Sequence, residues 1–427
     1  MGDRRGVRSR GGRARRAAAT AAGSRLRSLG PGLVSGAADT DPTTVAALVV
    51  VGATTMFGLA WLTLLMMPAL VVVQVLATRV GVLSGRDLQR AVRDGYGRVL
   101  SILLLVSILG VNVVTIAADV AAGAAAIGLL VGVESRWLAP AFAAGVLALL
   151  LLGKYDEVER VLKVVMLGLL AYGAAAVLAH PDWLAVARGS LVPSIPFTEA
   201  HLAGALAILG TTLTSYMYVW QTVEQIEEPR AREQLRFREF DAQVGGGLAA
   251  VIFWCILVAS GATLGAHHQQ VETAEQAAQA LRPLAGPLAG VLFSLGLLAS
   301  AIIAVPVIMA SGGYVTASAF GWPRGLSRTP RQAPRFYAVV VAQTLAGVAL
   351  ASTGIGPIRL LFLASLIGGI ATPLGLVLLV LAAGNPRLIG ATPIHLSLRV
   401  AGWAVAALVA AVSLLFLAQQ LHLVPGA

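Results

Sequence analysis

The chain of 427 residues is apolar and basic: hydrophobic residues make up 57% of it, charged residues only 12%, and its formal net charge at pH 7 is +11. Soluble domains carry about 25% charged residues, so this composition excludes a soluble enzyme and indicates an integral membrane protein. The single cysteine, Cys255, lies in an apolar run, which excludes an intrachain disulfide.

Hydropathy along the chain predicts a tail followed by eleven membrane spans. Residues 1–28 are rich in Arg, Gly and Ala and lack the apolar core of a signal peptide, so we predict a disordered cytoplasmic tail. The apolar runs after it are long enough to cross a bilayer. The spans are predicted at about 29–55, 58–79, 99–131, 137–153, 158–179, 200–222, 245–266, 286–319, 336–353, 357–383 and 399–420.

The basic residues predict the orientation of these spans. If the N-terminus is cytoplasmic, all but four of the 31 Lys and Arg residues lie in cytoplasmic segments. The four exceptions are Arg136, Arg188, Arg282 and Arg359. This asymmetry follows the positive-inside rule and accounts for the charge without nucleic-acid binding. An odd number of spans then puts the C-terminus outside, and the lipid bilayer is the expected surrounding.

Polar residues interrupt the first and the sixth predicted spans. The first contains Asp39, Asp41 and Pro42, and the sixth contains the run 211–216 of Thr, Ser and Tyr residues around Leu213. Unwound backbone is tolerated in a bilayer only where it faces protein or a watery cavity, and paired broken helices mark the substrate site of secondary transporters. Each break opens a unit of five spans, so the two units enter the membrane from opposite sides. We therefore predict an all-α inverted repeat, with repeat 1 at about 29–179, repeat 2 at about 200–383 and an additional helix at 399–420.

Asp39 and Asp41 are the main candidates for a cation site. A carboxylate inside a membrane costs a few kcal/mol and is seldom idle. Pro42 cannot continue a helix from the preceding turn, so carbonyls such as that of Ala38 would form the negative end of a half-helix, which suits a cation. The alternative is that an aspartate only caps the second half-helix, assisted by Thr43 and its neighbour.

Asp119 in the third span is a further intramembrane acid. It is expected either to line a water path or to pair with a neighbouring helix. The sixth-span break offers hydroxyls and free carbonyls without charge, and together with the first break it would form the second wall of one site.

These residues resemble the Nramp family of divalent-metal transporters, and more closely its prokaryotic magnesium-transporting branch. The resemblance rests on Gly30, Pro31 and Gly32 followed by Asp41-Pro42, and on residues 210–216 with Trp220-Gln221, and it extends over nearly the whole chain after the tail. It implies a 5+5 inverted-repeat bundle of the LeuT type, with the ion held between helices one and six.

The resemblance also implies a ligand set. Asp41 matches the metal-binding aspartate of the family, and Thr44 stands where the metal-transporting members have asparagine. Thr211 stands where a backbone carbonyl contributes, and Thr214 where a methionine thioether binds. Carboxylate, hydroxyl and carbonyl oxygens without sulfur favour Mg²⁺ or Mn²⁺ over softer metals. Asp39 would set the local field or bind through water.

Proton coupling is not expected from the resemblance. The two sixth-helix histidines of the family fall at Tyr216 and Gln221, and a third-helix acid falls at Ala122. This implies uncoupled passage driven by the electrochemical gradient, with Asp119, Tyr216 and Gln221 along the ion path. The chain departs from the magnesium branch at Ser215, where that branch has proline, and at Thr43-Thr44.

The sequence therefore predicts a non-enzymatic secondary transporter of Mg²⁺ or Mn²⁺ in a bacterial inner membrane, working by alternating access and without a cofactor. The oligomeric state is left open, and a monomer is compatible with the sequence. A symporter of a small organic solute, coupled to sodium or protons, on the same fold is the alternative. It predicts an apolar or aromatic pocket wall beside the break, for which Tyr216 and Trp220 are the aromatic candidates. A membrane sensor, which would bind without flux, is the third hypothesis.

Overall fold

The computed structural model describes residues 40–152, 171–194, 196–227, 235–390 and 394–423, and these ranges are helical without strands. The predicted tail, the Gly30, Pro31 and Gly32 motif, and Ala38 and Asp39 lie outside the described residues. So does most of the fifth predicted span.

Helices account for almost all of the described chain. Those of the first half are α1 Pro42–Thr55, α2 Ala60–Ser84, α3 Leu88–Tyr96, α4 Arg98–Val131, α5 Ser135–Leu152 and α6 Ala171–Leu178. Those of the second half are α7 Trp183–Leu191, α8 Glu199–Thr212, α9 Ser215–Glu227, α10 Leu235–Thr263, α11 Ala274–Ala278, α12 Arg282–Ala285, α13 Ala289–Phe320, α14 Pro334–Ala351, α15 Pro357–Ala383, α16 Pro386–Ile389 and α17 Leu396–Gln420. Three short 3₁₀ turns occupy Gly265–His267, Gln279–Leu281 and Gly286–Leu288.

Every predicted span has a helix at its place in the described chain. Eight helical segments there are long and apolar enough to cross a membrane by length and composition. The other three predicted spans correspond to α1, to α5 and to α6, which is the described end of the fifth. Some helices extend beyond the predicted spans, because hydropathy detects only the apolar part of a helix: α10 begins at Leu235, ahead of the span predicted from about 245, and α9 continues to Glu227, past the predicted end near 222.

Both predicted breaks coincide with helix ends. The helix α1 begins at Pro42, and a proline suits the first helical position because its missing N–H would be unpaired there anyway. In the sixth span, α8 ends at Thr212 and α9 begins at Ser215, so only Leu213 and Thr214 separate the two half-helices.

The broken helices lie in the middle of the bundle. In the span formed by α8 and α9, 94% of the residues in the most apolar 18-residue stretch are buried. In α17 the corresponding share is 39%. The half-helix α1 packs against α8, α10 and α15, and α9 packs against α2. The long helices α4 and α13 pack against each other, and both also contact α1. The polar breaks are thereby shielded from lipid by protein, as a bilayer requires.

The close approach of α8 to α15 depends on glycine. A Cβ atom built at Gly210 would overlap the carbonyl oxygen of Ser365 and the backbone of Gly369. Gly210 directly precedes Thr211, so this contact fixes the end of α8 at the break. Small residues at such crossings are typical of membrane helices that pack backbone to backbone.

We predict that Gly210→Ala destabilises the protein, because the added methyl group forces α8 away from α15. Overpacking of this kind costs about 1–3 kcal/mol. Gly110→Ala in α4 is the matched control, since a Cβ there meets no atom within 4 Å. Thermal unfolding of the two purified variants checks this, and equal midpoints would contradict it.

Candidate functional site

Asp41 is a buried helix cap that also contacts the second broken helix. Its side chain is 2% exposed. One carboxylate oxygen accepts a hydrogen bond from the Thr44 backbone N–H at 2.7 Å, and the other accepts one from the Tyr216 hydroxyl at 2.8 Å. Asp41 therefore caps α1, as the alternative expected, and also bonds to the second broken helix. A carboxylate offers about four acceptor positions, so capping does not exclude binding a cation.

A pair of threonines joins the two breaks directly. The hydroxyl oxygens of Thr44 on α1 and Thr211 on α8 are 2.8 Å apart, and both side chains are buried. Thr214 lies in the two-residue break itself and is 4% exposed. Two polar interruptions separated by about 170 residues in the chain thus form one cluster.

Asp119 reaches this cluster from α4. It is completely buried, and its Oδ1 accepts a hydrogen bond from the Thr43 hydroxyl at 2.8 Å. Its other oxygen, Oδ2, has no hydrogen-bond partner among the residues that the structure describes. One carboxylate oxygen therefore pairs with a neighbouring helix, and the other is a buried acceptor that remains available.

Ser300 on α13 is a member of the cluster that the sequence did not indicate. Its hydroxyl donates to the carbonyl oxygen of Thr40 at 2.5 Å, immediately before the cap of α1. On the other side, the Thr372 hydroxyl of α15 donates to the carbonyl oxygen of Leu213 at 3.3 Å. Single hydroxyl residues in apolar helices carry no sequence signal, because most of them bond to their own helix.

The hydrogen bonds described for Gln221 and Trp220 go to residues outside the cluster. The Gln221 side-chain amide donates to the Thr78 hydroxyl of α2 at 3.0 Å. The Trp220 indole donates to Glu224 at 2.9 Å, and its ring packs edge-on against Tyr314 at 6.0 Å. Of the two aromatic residues named for a solute pocket, only Tyr216 contacts Asp41.

The cluster is enclosed by protein, and its potential ligand atoms are almost all oxygen. Asp41, Thr44, Asp119, Thr211, Thr214 and Tyr216 are each at most 4% exposed. Among the described residues, no group of three or more His, Cys, Asp and Glu side chains could hold a metal ion. Its charged groups are the carboxylates of Asp41 and Asp119. The other groups that could coordinate a cation are hydroxyls and backbone carbonyls.

Comparison with known proteins gives the family. The family model described as natural resistance-associated macrophage protein-like, Nramp, matches residues 32–419. A divalent metal cation transporter MntH of Deinococcus radiodurans is 30% identical over 403 residues, covering 90% of this chain and 88% of that protein. The MntH of Ralstonia nicotianae is 31% identical over 392 residues, covering 86% and 84%.

Solved structures give the fold. A manganese transporter of Eremococcus coleocola, in complex with an aromatic bis-isothiourea substituted compound, superposes with a TM-score of 0.72 at 17% identity, covering 92% of this chain and 86% of that one. Mhp1, a nucleobase-cation-symport-1 family transporter, superposes with a TM-score of 0.59 at 15% identity, covering 91% and 93%. These likenesses confirm the predicted all-α LeuT-type architecture, and the family match with its two MntH relatives places this chain in the Nramp family.

Proposed function

We propose that this protein transports divalent metal cations across the membrane by alternating access, with Asp41 at the centre of the site. The observation that carries the proposal is the joining of the two helix breaks through Asp41–Tyr216 and Thr44–Thr211 inside an enclosed cluster. The names of the MntH relatives support the divalent class.

The charge inside the cluster supports a cation as the substrate. Asp41 and Asp119 are both buried, and no Lys, Arg or His side chain pairs with either of them among the described residues. A buried carboxylate without a counter-charge costs several kcal/mol. A divalent cation bound near both would balance them, and the unpartnered oxygen of Asp119 gives the ion path a second acidic group.

The donor set favours a hard ion. Asp41, Thr44, Thr211 and Thr214 offer oxygen only, and such ligands suit Mg²⁺ and Mn²⁺. The single methionine of α9, Met217, has its sulfur 4.0 Å from the Gln74 amide nitrogen of α2. We also propose that Asp39 sets the local electrostatic field or binds the ion through water, and that the carbonyl oxygen of Ala38 is a ligand. Both residues lie outside the described residues.

Two residues of α9 support passage without proton coupling. Tyr216 and Gln221 occupy the positions where the family has histidines, and neither side chain exchanges a proton near neutral pH. Gln221 is also bonded to Thr78, away from Asp41. We propose that the membrane potential, negative inside, drives import in the plasma membrane of a bacterium.

The organic-solute alternative finds less support in the site. It predicts an apolar or aromatic wall beside the break, and its two aromatic candidates are engaged in other contacts: the Tyr216 hydroxyl is bonded to Asp41, and Trp220 contacts Glu224 and Tyr314. The likeness to Mhp1 is one of fold alone.

The first prediction concerns Asp41. In proteoliposomes loaded with an ion-sensitive dye, Mg²⁺ or Mn²⁺ influx is expected to fall at least about tenfold in Asp41→Asn, because a charged ligand worth more than 1.4 kcal/mol is lost. Asp182→Asn is the matched control, since Asp182 also caps a helix but is exposed at the N-terminus of α7. Absence of divalent flux in the folded wild type would overturn the proposed function.

The second prediction concerns selectivity. Thr214→Met places a thioether beside the break and is expected to raise Cd²⁺ competition against Mg²⁺ influx, because sulfur prefers softer ions. Thr214→Leu has a similar volume without sulfur and separates this effect from size. Equal Cd²⁺ competition in the Met and Leu variants would contradict the placement of Thr214 in the site.

The third prediction concerns protons. Metal influx driven by an imposed potassium diffusion potential is expected to leave the pH inside the vesicles unchanged. A pH-sensitive dye trapped in the same vesicles measures this. Metal-dependent acidification that Asp41→Asn abolishes would replace uncoupled passage with proton coupling, while leaving metal transport in place.

A further inference from the structure

A cavity of about 350 Å³ lies apart from the cation cluster, where α3 meets the end of α13. Four arginines line it, namely Arg90 and Arg93 from α3 and Arg324 and Arg328 from the segment after α13, and no acidic side chain is among its lining residues. Segments 79–98 and 324–335 are predicted to be cytoplasmic, so the cavity would open on that side. The positive-inside rule accounts for basic residues on this face, but not for their convergence on one cavity.

The nearest carboxylates do not neutralise this group. Asp87 is buried and accepts from Arg324 at 2.7 Å and from the Ser318 hydroxyl at 2.6 Å. Its other oxygen caps α3 through the backbone N–H of Arg90 at 2.9 Å.

The second carboxylate, Asp94, is shared among three arginines. Its oxygens lie 3.5 Å from Arg86, 3.7 Å from Arg90 and 3.3 Å from Arg93. Five guanidinium groups, counting Arg328, thus face two carboxylates, and among the described residues Arg328 has no ion-pair partner. The cavity carries excess positive charge.

Two of the cavity arginines, Arg93 and Arg324, are also held in place by hydrogen bonds. Arg93 donates to the carbonyl oxygens of Ser318 and Ala319 at 3.1 and 3.2 Å, at the C-terminal end of α13. A guanidinium has five N–H donors, and the contacts described for Arg93 and Arg324 use only part of them. Fixed guanidinium forks with unused donors match the paired oxygens of a phosphate group.

Aromatic residues beside the cavity indicate a membrane–water interface. Trp322 lines the cavity and stacks on the exposed ring of Phe320, with centroids 5.0 Å apart. The guanidinium of Arg335 lies 5.3 Å from the Trp322 ring. Tryptophan is enriched at the level of lipid headgroups, so both headgroups and soluble anions can reach this level.

We propose that this cavity binds a phosphate-bearing anion, supplied either by an anionic phospholipid headgroup or by a soluble phosphate compound. The occupant would contact α3 and the segment after α13 together. Because it binds only the folded arrangement, it stabilises the protein by mass action. The proposal is independent of the transported ion, since none of the lining residues belongs to the cation cluster.

The test uses the full purified chain and two variants. The double variant Arg90→Gln/Arg328→Gln removes two cavity arginines whose side chains are exposed, leaving the Asp87 and Arg93 contacts intact. The variant Arg331→Gln is the matched control, because it removes an exposed charge from the same segment outside the cavity. Size-exclusion elution and helical circular dichroism verify that each variant is folded.

Two measurements separate the sources. Native mass spectrometry after incubation with phosphatidylglycerol or phosphatidylcholine detects a retained phospholipid. Thermal unfolding with pyrophosphate detects a soluble anion, whose binding is expected to raise the unfolding midpoint by about 2 °C or more. Retention of phosphatidylglycerol, or the shift with pyrophosphate, in wild type and Arg331→Gln but not in the double variant supports the site and names its source. Binding that persists in the double variant, or no binding of either probe to wild type, overturns the proposal.

Discussion

The arrangement of the broken helices depends on how the buried carboxylate of Asp41 is hydrogen-bonded. Asp41 lies at the start of α1 inside the bundle, where water is excluded, so its charge must be met by protein or by a ligand. The helix N-terminus supplies one hydrogen bond and Tyr216 supplies the other. Both donors come from broken helices, and this explains why those helices lie at the centre of the bundle. A continuous helix would offer neither a free N-terminus at this depth nor unwound carbonyls beside it.

The distribution of charge separates this centre from the rest of the chain. The 31 Lys and Arg residues of the sequence are concentrated in the predicted loops and the tail, whereas Asp41 and Asp119 are buried without a basic partner among the described residues. A permanent ion pair would satisfy two such acids more simply, but it would also neutralise the site. Leaving the acids unpaired costs stability and keeps an attraction for a cation that can enter and leave. The same reasoning explains why hydroxyl groups, rather than ammonium or guanidinium groups, approach both carboxylates.

The sequence predicted the spans and the two breaks well, because a bilayer imposes strong patterns on both. It could not predict which hydroxyls meet across helices: Thr43 pairs with Asp119, 76 positions away, and Ser300 pairs with the carbonyl of Thr40, 260 positions away. Gln221 remains a prediction for the ion path, and its side chain bonds to Thr78 of α2 rather than to a residue of the cluster. Helical geometry gives the reason, since residues five positions apart differ by about 140° in direction. Tyr216 and Gln221 therefore cannot face the same side of α9, and this much could have been read from their spacing.

The enclosure of the cluster restricts how it can open. Its members are buried, so an ion reaches them only after a helix moves. The end of α8 is fixed against α15, where Gly210 leaves no space between the backbones. Beyond the two-residue break, α9 packs mainly against α2, and the Leu88 backbone N–H of α3 donates to its Thr222 hydroxyl at 3.0 Å. A movement of α9 about Leu213 and Thr214 would thus leave the Thr44–Thr211 contact in place and break the bond between Tyr216 and Asp41. Opening on that side and exposing a free acceptor on Asp41 would then be one event, which is the coupling that alternating access requires.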